Sequence, residues 1–361
     1  MNMVQDKFLN FIRRSRWILL VGFLGMACSG LELESSQALE HPPEARQFDF
    51  WLGKWDVNLR ILQDDLEWKD SIAAEAHIIS ILNGKAILEL WDSVPIKGFS
   101  LRYFDSDLGR WVLWLNWPGK NRSGSSSLTG AFRHGRGEFY SESQSPDGGR
   151  SLQRYTFSDV GPSSLRWDDA YSQDGGRSWT HQWIMEFSRT AAAAKLPERG
   201  GTAHTFHEGK RCDREEFEVY APLVGYRAGR LGFGRDPESS IPATLTGYRI
   251  LDGCAVLLFL RFQRDGIQRE IFYHLTFNTY ANRFELLGLE NQPTVPAFIA
   301  YSPVNSAELQ FQTASSNPGP GVRYRIDLDS GQIQIVEQRW NEAEQSWDLH
   351  WQAQFPDMES P

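Results

Sequence analysis

Cysteine is scarce: Cys28, Cys212 and Cys254 are the only three in 361 residues. That excludes a disulfide framework and leaves at most one bridge, Cys212 with Cys254, once Cys28 is set aside. The alternative for that pair is two small buried thiols. Basic residues are outnumbered, 37 Lys and Arg against 46 Asp and Glu, for a net charge of −9. A nucleic-acid surface asks for the opposite balance, so no nucleic-acid partner is expected. The N-terminal apolar run "WILLVGFLGMA" has 11 residues, short of the about 20 that span a bilayer as a helix. Several catalytic signatures are missing as well. There is no Gly-x-Ser-x-Gly elbow, no Ser–His–Asp order and no Gly-rich phosphate loop ahead of a helix. No catalytic residue and no cofactor is assigned.

Aromatics are abundant, with 14 Trp and 22 Phe, and such side chains fit a pleated surface better than a helix. Lys7, Arg13, Arg14 and Arg16 precede the apolar run, so residues 1–27 read as an export signal. "GMACSG" follows and resembles the bacterial lipobox, which implies lipidation of Cys28 and anchoring to a membrane. Gly25 stands where that pattern wants Leu, and Leu24 lies one position further away. Ordinary cleavage after Gly25–Ala27 is the alternative. Ser29, by the same resemblance, favours the outer membrane, and residues 28–45 are a polar tether.

The chain repeats itself. "ILNGKAILEL" (81–90) matches "ILDGCAVLLF" (250–259), and "FDSDLGRWVL" (104–113) matches "FNTYANRFEL" (277–286). "RYTF" (154–157) matches "RYRI" (323–326), and "RSWTHQWIMEF" (177–187) matches "QSWDLHWQAQF" (345–355). The offsets are 169, 173, 169 and 168 residues. Apolar alternation and turn residues are what recur, so the repeat is a fold. The expected organisation is all-β: two tandem antiparallel barrels of about 8–10 strands, at 46–190 and 207–357, joined by a linker at 191–206.

"FDFWLGKWDV" (48–57), the Asn83-Gly84 turn, "RYFDSDLGRWVLWLNWPG" and "YSQDGGRSW" together resemble an uncharacterised bacterial family of lipocalin-like β-barrels. The resemblance covers 46–190 and is weak in the second half, where "EEFEVY" (215–220) can stand for "GKWDVN" without its Gly-x-Trp. It implies that Gly53 and Trp55 close the barrel base under Arg189, by a cation–π stack. Phe48, Phe50 and Trp51 are then expected to pack outside or below that base. It implies no activity.

"SQDGGRSW" (172–179) fits the Asp-box of sialidase-type propellers, but the 169-residue period does not fit blades, so a stabilised hairpin is the simpler reading. "HTFHE" (204–208) lacks a third ligand and helical spacing, so no metal site is assigned. His181 is the residue a haem-binding barrel would use, although its neighbours match that pattern poorly. Asp168 and Asp169 are adjacent and therefore face opposite sides of a strand.

Polar or Trp residues inside apolar strands are the pocket candidates: Trp91, Arg102, Trp114, Asn116, Arg154 and Trp167. Arg102, Asn116 and Arg154 could orient an acidic or carbonyl-bearing ligand; otherwise they are surface residues. In the second copy Leu287, Leu289 and Ile335 replace Trp114, Asn116 and Trp167, so the first barrel is the expected binder. The expected function is an exported, lipid-anchored binding or scaffold protein with a small, partly apolar ligand in the first barrel. An isomerase- or hydratase-type envelope enzyme, a haem-binding barrel, and a module that only meets another envelope protein are the alternatives.

Overall fold

The computed structural model describes residues 41–94, 96–118, 123–144, 149–203, 212–234, 240–304, 309–313, 321–328 and 332–356. The signal at 1–27, Cys28 and the "HTFHE" cluster lie outside them.

Ten antiparallel strands close the first barrel. They are β1 (Gly53–Leu62), β2 (Trp68–Ile81), β3 (Ala86–Ser93), β4 (Lys97–Asp105), β5 (Arg110–Asn116), β6 (Ser126–Arg133), β7 (Arg136–Gln144), β8 (Arg150–Ser158), β9 (Ser164–Ser172) and β10 (Thr180–Ala191). β1 pairs with both β2 and β10, with Trp55 opposite Arg189. Closure leaves no free sheet edge along most of the wall.

After a two-residue strand, β11 (Gly201–Thr202), a second set of ten repeats the first strand for strand. It comprises β12 (Gly225–Phe233), β13 (Ile241–Ile250), β14 (Ala255–Arg264), β15 (Ile267–Asn278), β16 (Arg283–Glu290), β17 (Phe298–Pro303), β18 (Leu309–Thr313), β19 (Val322–Asp327), β20 (Gln332–Asn341) and β21 (Ser346–Pro356). The β12–β21 and β13–β14 pairings close this ring, and β11 adds in parallel outside it.

The turns show why the repeat is legible. Leu82–Gly84 and Leu251–Gly253 are matching 3-10 turns, with Asn83 at φ 56° and Asp252 at φ 53°. Asn and Asp tolerate that left-handed region better than most residues. Between β4 and β5 the Asp105 carboxylate accepts the N–H groups of Asp107 and Leu108, at 3.0 Å each. Between β15 and β16 the Asn278 side chain does the same for Tyr280 and Ala281.

The barrels meet through equivalent strands. The outer faces of β3, β4 and β5 (Leu88, Leu90, Phe99, Leu101) share one apolar cluster with Leu257, Phe259 and Phe272 on β14 and β15. Every residue of β3 is buried, because one face looks into its own barrel and the other meets its neighbour. Phe99 stacks on Phe272, the corresponding residue of the repeat, at 6.4 Å and 9° between planes. The polar contacts are reciprocal too. Lys97 on β4 pairs with Asp252 in the second barrel's turn at 2.9 Å. Glu270 on β15 accepts the Leu82 N–H in the first barrel's turn at 3.1 Å. The same patch thus meets its own copy, as in an isologous dimer.

The second barrel carries its own plug. A short helix α1 (Glu215–Glu218) and a 3-10 turn (Ala221–Leu223) bring Phe217, Tyr220 and Leu223 to full burial. Gly225-Tyr226-Arg227 opens β12 where Gly53-Lys54-Trp55 opens β1, and both glycines have positive φ. "EEFEVY" is therefore the plug and not the first strand. Cys212, just ahead of α1, forms a disulfide with Cys254 at the foot of β14, with a Cα–Cα separation of 5.0 Å.

Candidate binding sites within and between the barrels

At the base of the first barrel, Gly53 sits at φ 129°, and a Cβ there would lie 2.4 Å from the Ala191 carbonyl oxygen and 2.7 Å from the Arg189 guanidinium. Only glycine lets β1 and β10 close this tightly. The Arg189 guanidinium lies 4.0 Å from the Trp55 ring centre. It donates to the Pro162 carbonyl at 2.7 Å, and to the Leu52 and Phe50 carbonyls. It therefore ties the last strand to the lead-in segment. Phe48 and Trp51 lie inside the base and not outside it, because both are fully buried. Phe48 packs against Trp111, Phe132, Phe139 and Phe157 at 4.7–5.5 Å.

Above this plug the interior turns polar. Arg102 is 2% exposed and its guanidinium stacks 4.0 Å from the Trp51 ring centre. Its terminal nitrogens donate to the Glu89 carboxylate at 3.3–3.4 Å and to the Ser100 hydroxyl at 2.7 Å. Ser100 in turn donates to Glu89 at 2.5 Å. Burial pulls the Arg102 guanidinium down to about 10, and Glu89 opposes that shift. Nearer the mouth, burial pushes the Asp169 carboxyl up to about 6, although Gln153 donates to it at 3.1 Å.

Three of the six candidates face this interior: Trp91, Arg102 and Trp167. The other three do not. Trp111, Leu113 and Leu115 are the inward residues of β5, so Trp114 and Asn116 point out, toward the second barrel. Asn116 meets His274 and Thr276 there at 3.4 Å and accepts from Ser123 at 3.0 Å. Arg154 lies on the outer wall with its guanidinium 4.2 Å from the Trp179 ring centre. Glu89, Ser100, Tyr155, Asp169 and Trp117 belong to the interior and were not anticipated. Glu89 alternates with Trp91 in "AILELW", which was the available signal.

The space among these groups is about 10 Å³, room for one water. The Trp51, Trp91 and Trp117 indole N–H groups and the Arg102 Nε–H are buried with no hydrogen-bond partner among the described residues. Trp117 closes the mouth. Its ring lies over Gly98 so tightly that a Cβ would come within 2.1 Å, and it contacts Trp91 and Trp183 at 5.4 and 5.7 Å. Among the described residues the interior of the first barrel is filled by these side chains, with no open space of the size expected for a ligand among them.

His181, the haem candidate, stands on the outer wall, half exposed and 3.4 Å from Asp168. Asp168 also pairs with Arg166 at 2.8 Å, whereas Asp169 faces in. The Ser172–Trp179 segment is a hairpin. Asp174 accepts the Ser178 hydroxyl at 2.6 Å and the Ser178 and Arg177 N–H groups at 2.9 Å each, and these bonds, the Ser178 hydroxyl's above all, hold its carboxyl well below the usual range.

The second barrel also has polar groups inside. Glu337 is 1% exposed, accepts from the Trp351 indole at 3.0 Å and pairs with Arg339 at 3.0 Å. Burial, and then Glu337, push the Glu290 carboxyl up.

Between the barrels lies a crevice of about 820 Å³. The end of β2, the chain that joins the barrels, and Tyr248, Phe259 and Arg261 line it.

No family model and no curated protein matches the chain. Among solved structures it is similar to a protein of unknown function of the DUF3598 family from Nostoc punctiforme. That match has 10% identity and a TM-score of 0.21, and covers 88% of this chain and 100% of that one. It is also similar to a transferrin binding protein B double mutant from Haemophilus parasuis, with 6% identity and a TM-score of 0.17, covering 85% and 76% of the two chains. The all-β class and the two closed barrels rest on the strand pairing itself, and they fit a lipocalin-like tandem arrangement.

Proposed function

We propose that this is a binding or scaffold protein of the cell envelope, anchored through a lipid on Cys28, whose working surfaces lie outside its barrels. The observation that carries this reading is the filled first barrel. Arg102, Glu89 and the Trp51 ring occupy the place a carried ligand would take, around about 10 Å³. A buried ion pair of this kind is disrupted at high cost when one partner is drawn away, which disfavours lumen chemistry as well as lumen binding. The lipobox-like "GMACSG" supports the anchor, and the fused barrels suit a rigid body that meets another envelope protein.

Two measurements test it. Mass spectrometry of the mature N-terminus should find acylated Cys28, and Cys28→Ala should move the protein from the membrane to the soluble fraction. The indole N–H signals of Trp51 and Trp91 should stay unmoved by NMR when envelope extracts are added. A soluble, unacylated wild type would remove the anchor. Saturable shifts of those indoles would return a ligand to the lumen.

A further inference from the structure

In both barrels an aromatic ring is laid over a strand glycine near the mouth. In the first it is Trp117 over Gly98. In the second it is Phe298, whose ring lies so close over Gly288 that a Cβ would come within 2.1 Å. Gly288 stands between Tyr273 and Phe298 in the register of β15, β16 and β17. Phe298 stacks on Tyr324 at 4.9 Å and 5° between planes, and Tyr324 meets Tyr273 at 6.1 Å. The Tyr273 hydroxyl, buried with no hydrogen-bond partner among the described residues, and Glu337 lie beside this aromatic cap.

Phe298 follows the segment that joins β16 to β17, residues 291–297. Pro293 and Pro296 give that segment two positions with no N–H to pair. Its start is tied to its own barrel. The Asn291 N–H donates to the Glu270 carbonyl and the Asn291 side chain to the Gln268 carbonyl, at 2.9 Å each. Its middle and end are tied to the other barrel. Lys85, at the foot of β3, donates through its ammonium to the Gln292 and Val295 carbonyls. The Ala297 N–H donates to the Tyr103 hydroxyl at 3.0 Å. Lys85 is 3% exposed, and a buried charge persists only where partners meet it. Burial pulls its ammonium down to about 8, while Glu290 and Asp105 hold it up. The repeat has Cys254 at the corresponding position, where it forms the disulfide, so this clasp belongs to the first barrel alone. The opposite connection docks in the same sense. The Ser123 N–H donates to the Thr279 hydroxyl and the Thr279 N–H to the Ser123 carbonyl, at 3.2 Å each.

We propose that residues 291–298 form a lid on the second barrel, and that the first barrel holds it shut through Lys85 and Tyr103. With the clasp released, Phe298 leaves Gly288, and Tyr273 and Tyr324 meet solvent. Such a segment opens locally, without unfolding of the whole molecule. The barrels thus share more than a wall, since the mouth of one is controlled from the base of the other. The lid involves neither the anchor nor the first barrel's interior, so it stands or falls independently of the function proposed above.

The test compares the purified mature protein with Lys85→Met and Tyr103→Phe, by hydrogen-exchange mass spectrometry and by hydroxyl-radical footprinting. Lys85→Met should speed exchange across residues 291–299 about tenfold or more, since bonds to a charged donor are lost. It should also raise the oxidation of Tyr273, Phe298 and Tyr324. Tyr103→Phe should speed exchange at Ala297 and its neighbours, and it carries the test alone should Lys85→Met fail to fold. Peptides from β6 to β9 should exchange as in the wild type in both variants. Exchange and oxidation unchanged in both would overturn the proposal. Faster exchange at 291–299 with the three rings still protected would overturn it too, because the segment would then cover nothing. So would faster exchange spread evenly over both barrels, because Lys85 would then serve global stability only.

Discussion

Arg102 sets the character of the first barrel's interior. Its charge is buried against Glu89 and Ser100 and capped by the Trp51 ring. Breaking a buried pair by removing one partner strands the other charge, at about 3–5 kcal/mol. Arg102→Leu should therefore cost that much by urea denaturation, and Arg102→Met with Glu89→Leu should recover most of it. A single variant that costs less than about 1 kcal/mol would mean that the pair is solvated. Asp169 predicts a pH dependence. Its carboxyl is raised from 3.8 to about 6 in the folded protein, so the fold holds a proton that the unfolded chain releases. Stability should then fall as pH rises from about 4, and the loss should be complete above about 6. The difference is at most about 3 kcal/mol. It should vanish in Asp169→Asn, compared by denaturation at pH 4 and pH 7.

Two elements carry further consequences. Trp117 closes the mouth because Gly98 leaves room for its ring. Gly98→Ala should push the indole out and red-shift its emission, most clearly when Trp117 is isolated by difference against Trp117→Phe. Unchanged emission would mean that the ring is not seated there. The Cys212–Cys254 bridge spans 42 residues and fixes the second plug to β14. Its reduction should destabilise the protein by about 2–4 kcal/mol, read as a lower melting temperature with reductant, and Cys212→Ala should abolish that difference.

The elements also show what the sequence could reveal. The repeat and its Asn83 and Asp252 turns were visible, because turn chemistry is local. The facing of β3 to β5 was not. A second barrel covers their outer wall, so "AILELWDS" is buried throughout and its alternation disappears. A polar residue in such a strand, like Asn116, could face the lumen or the interface, and it faces the interface. The second plug was missed because Phe217, Tyr220 and Leu223 follow a different spacing from "FDFWLGKW" and lie on a helix and a turn. Glu89 escaped notice because its partner, Arg102, is 13 residues away on the next strand.

At the scale of the molecule, the central claim is that two copies of one barrel have joined through a single self-complementary patch into one body. Phe99 and Phe272 are equivalent residues whose rings lie near-parallel, 6.4 Å apart, across the junction, and Phe99 stacks on His274 at 4.3 Å. The Lys97–Asp252 and Glu270–Leu82 contacts flank them reciprocally. Neither barrel could expose that apolar face to water without penalty, so the two should unfold together. The most direct measurement is hydrogen-exchange mass spectrometry on Phe99→Asp. The account predicts that protection falls together in β3–β5 of the first barrel and β14–β16 of the second. Loss confined to the first barrel, with β14–β16 protected as in the wild type, would contradict it.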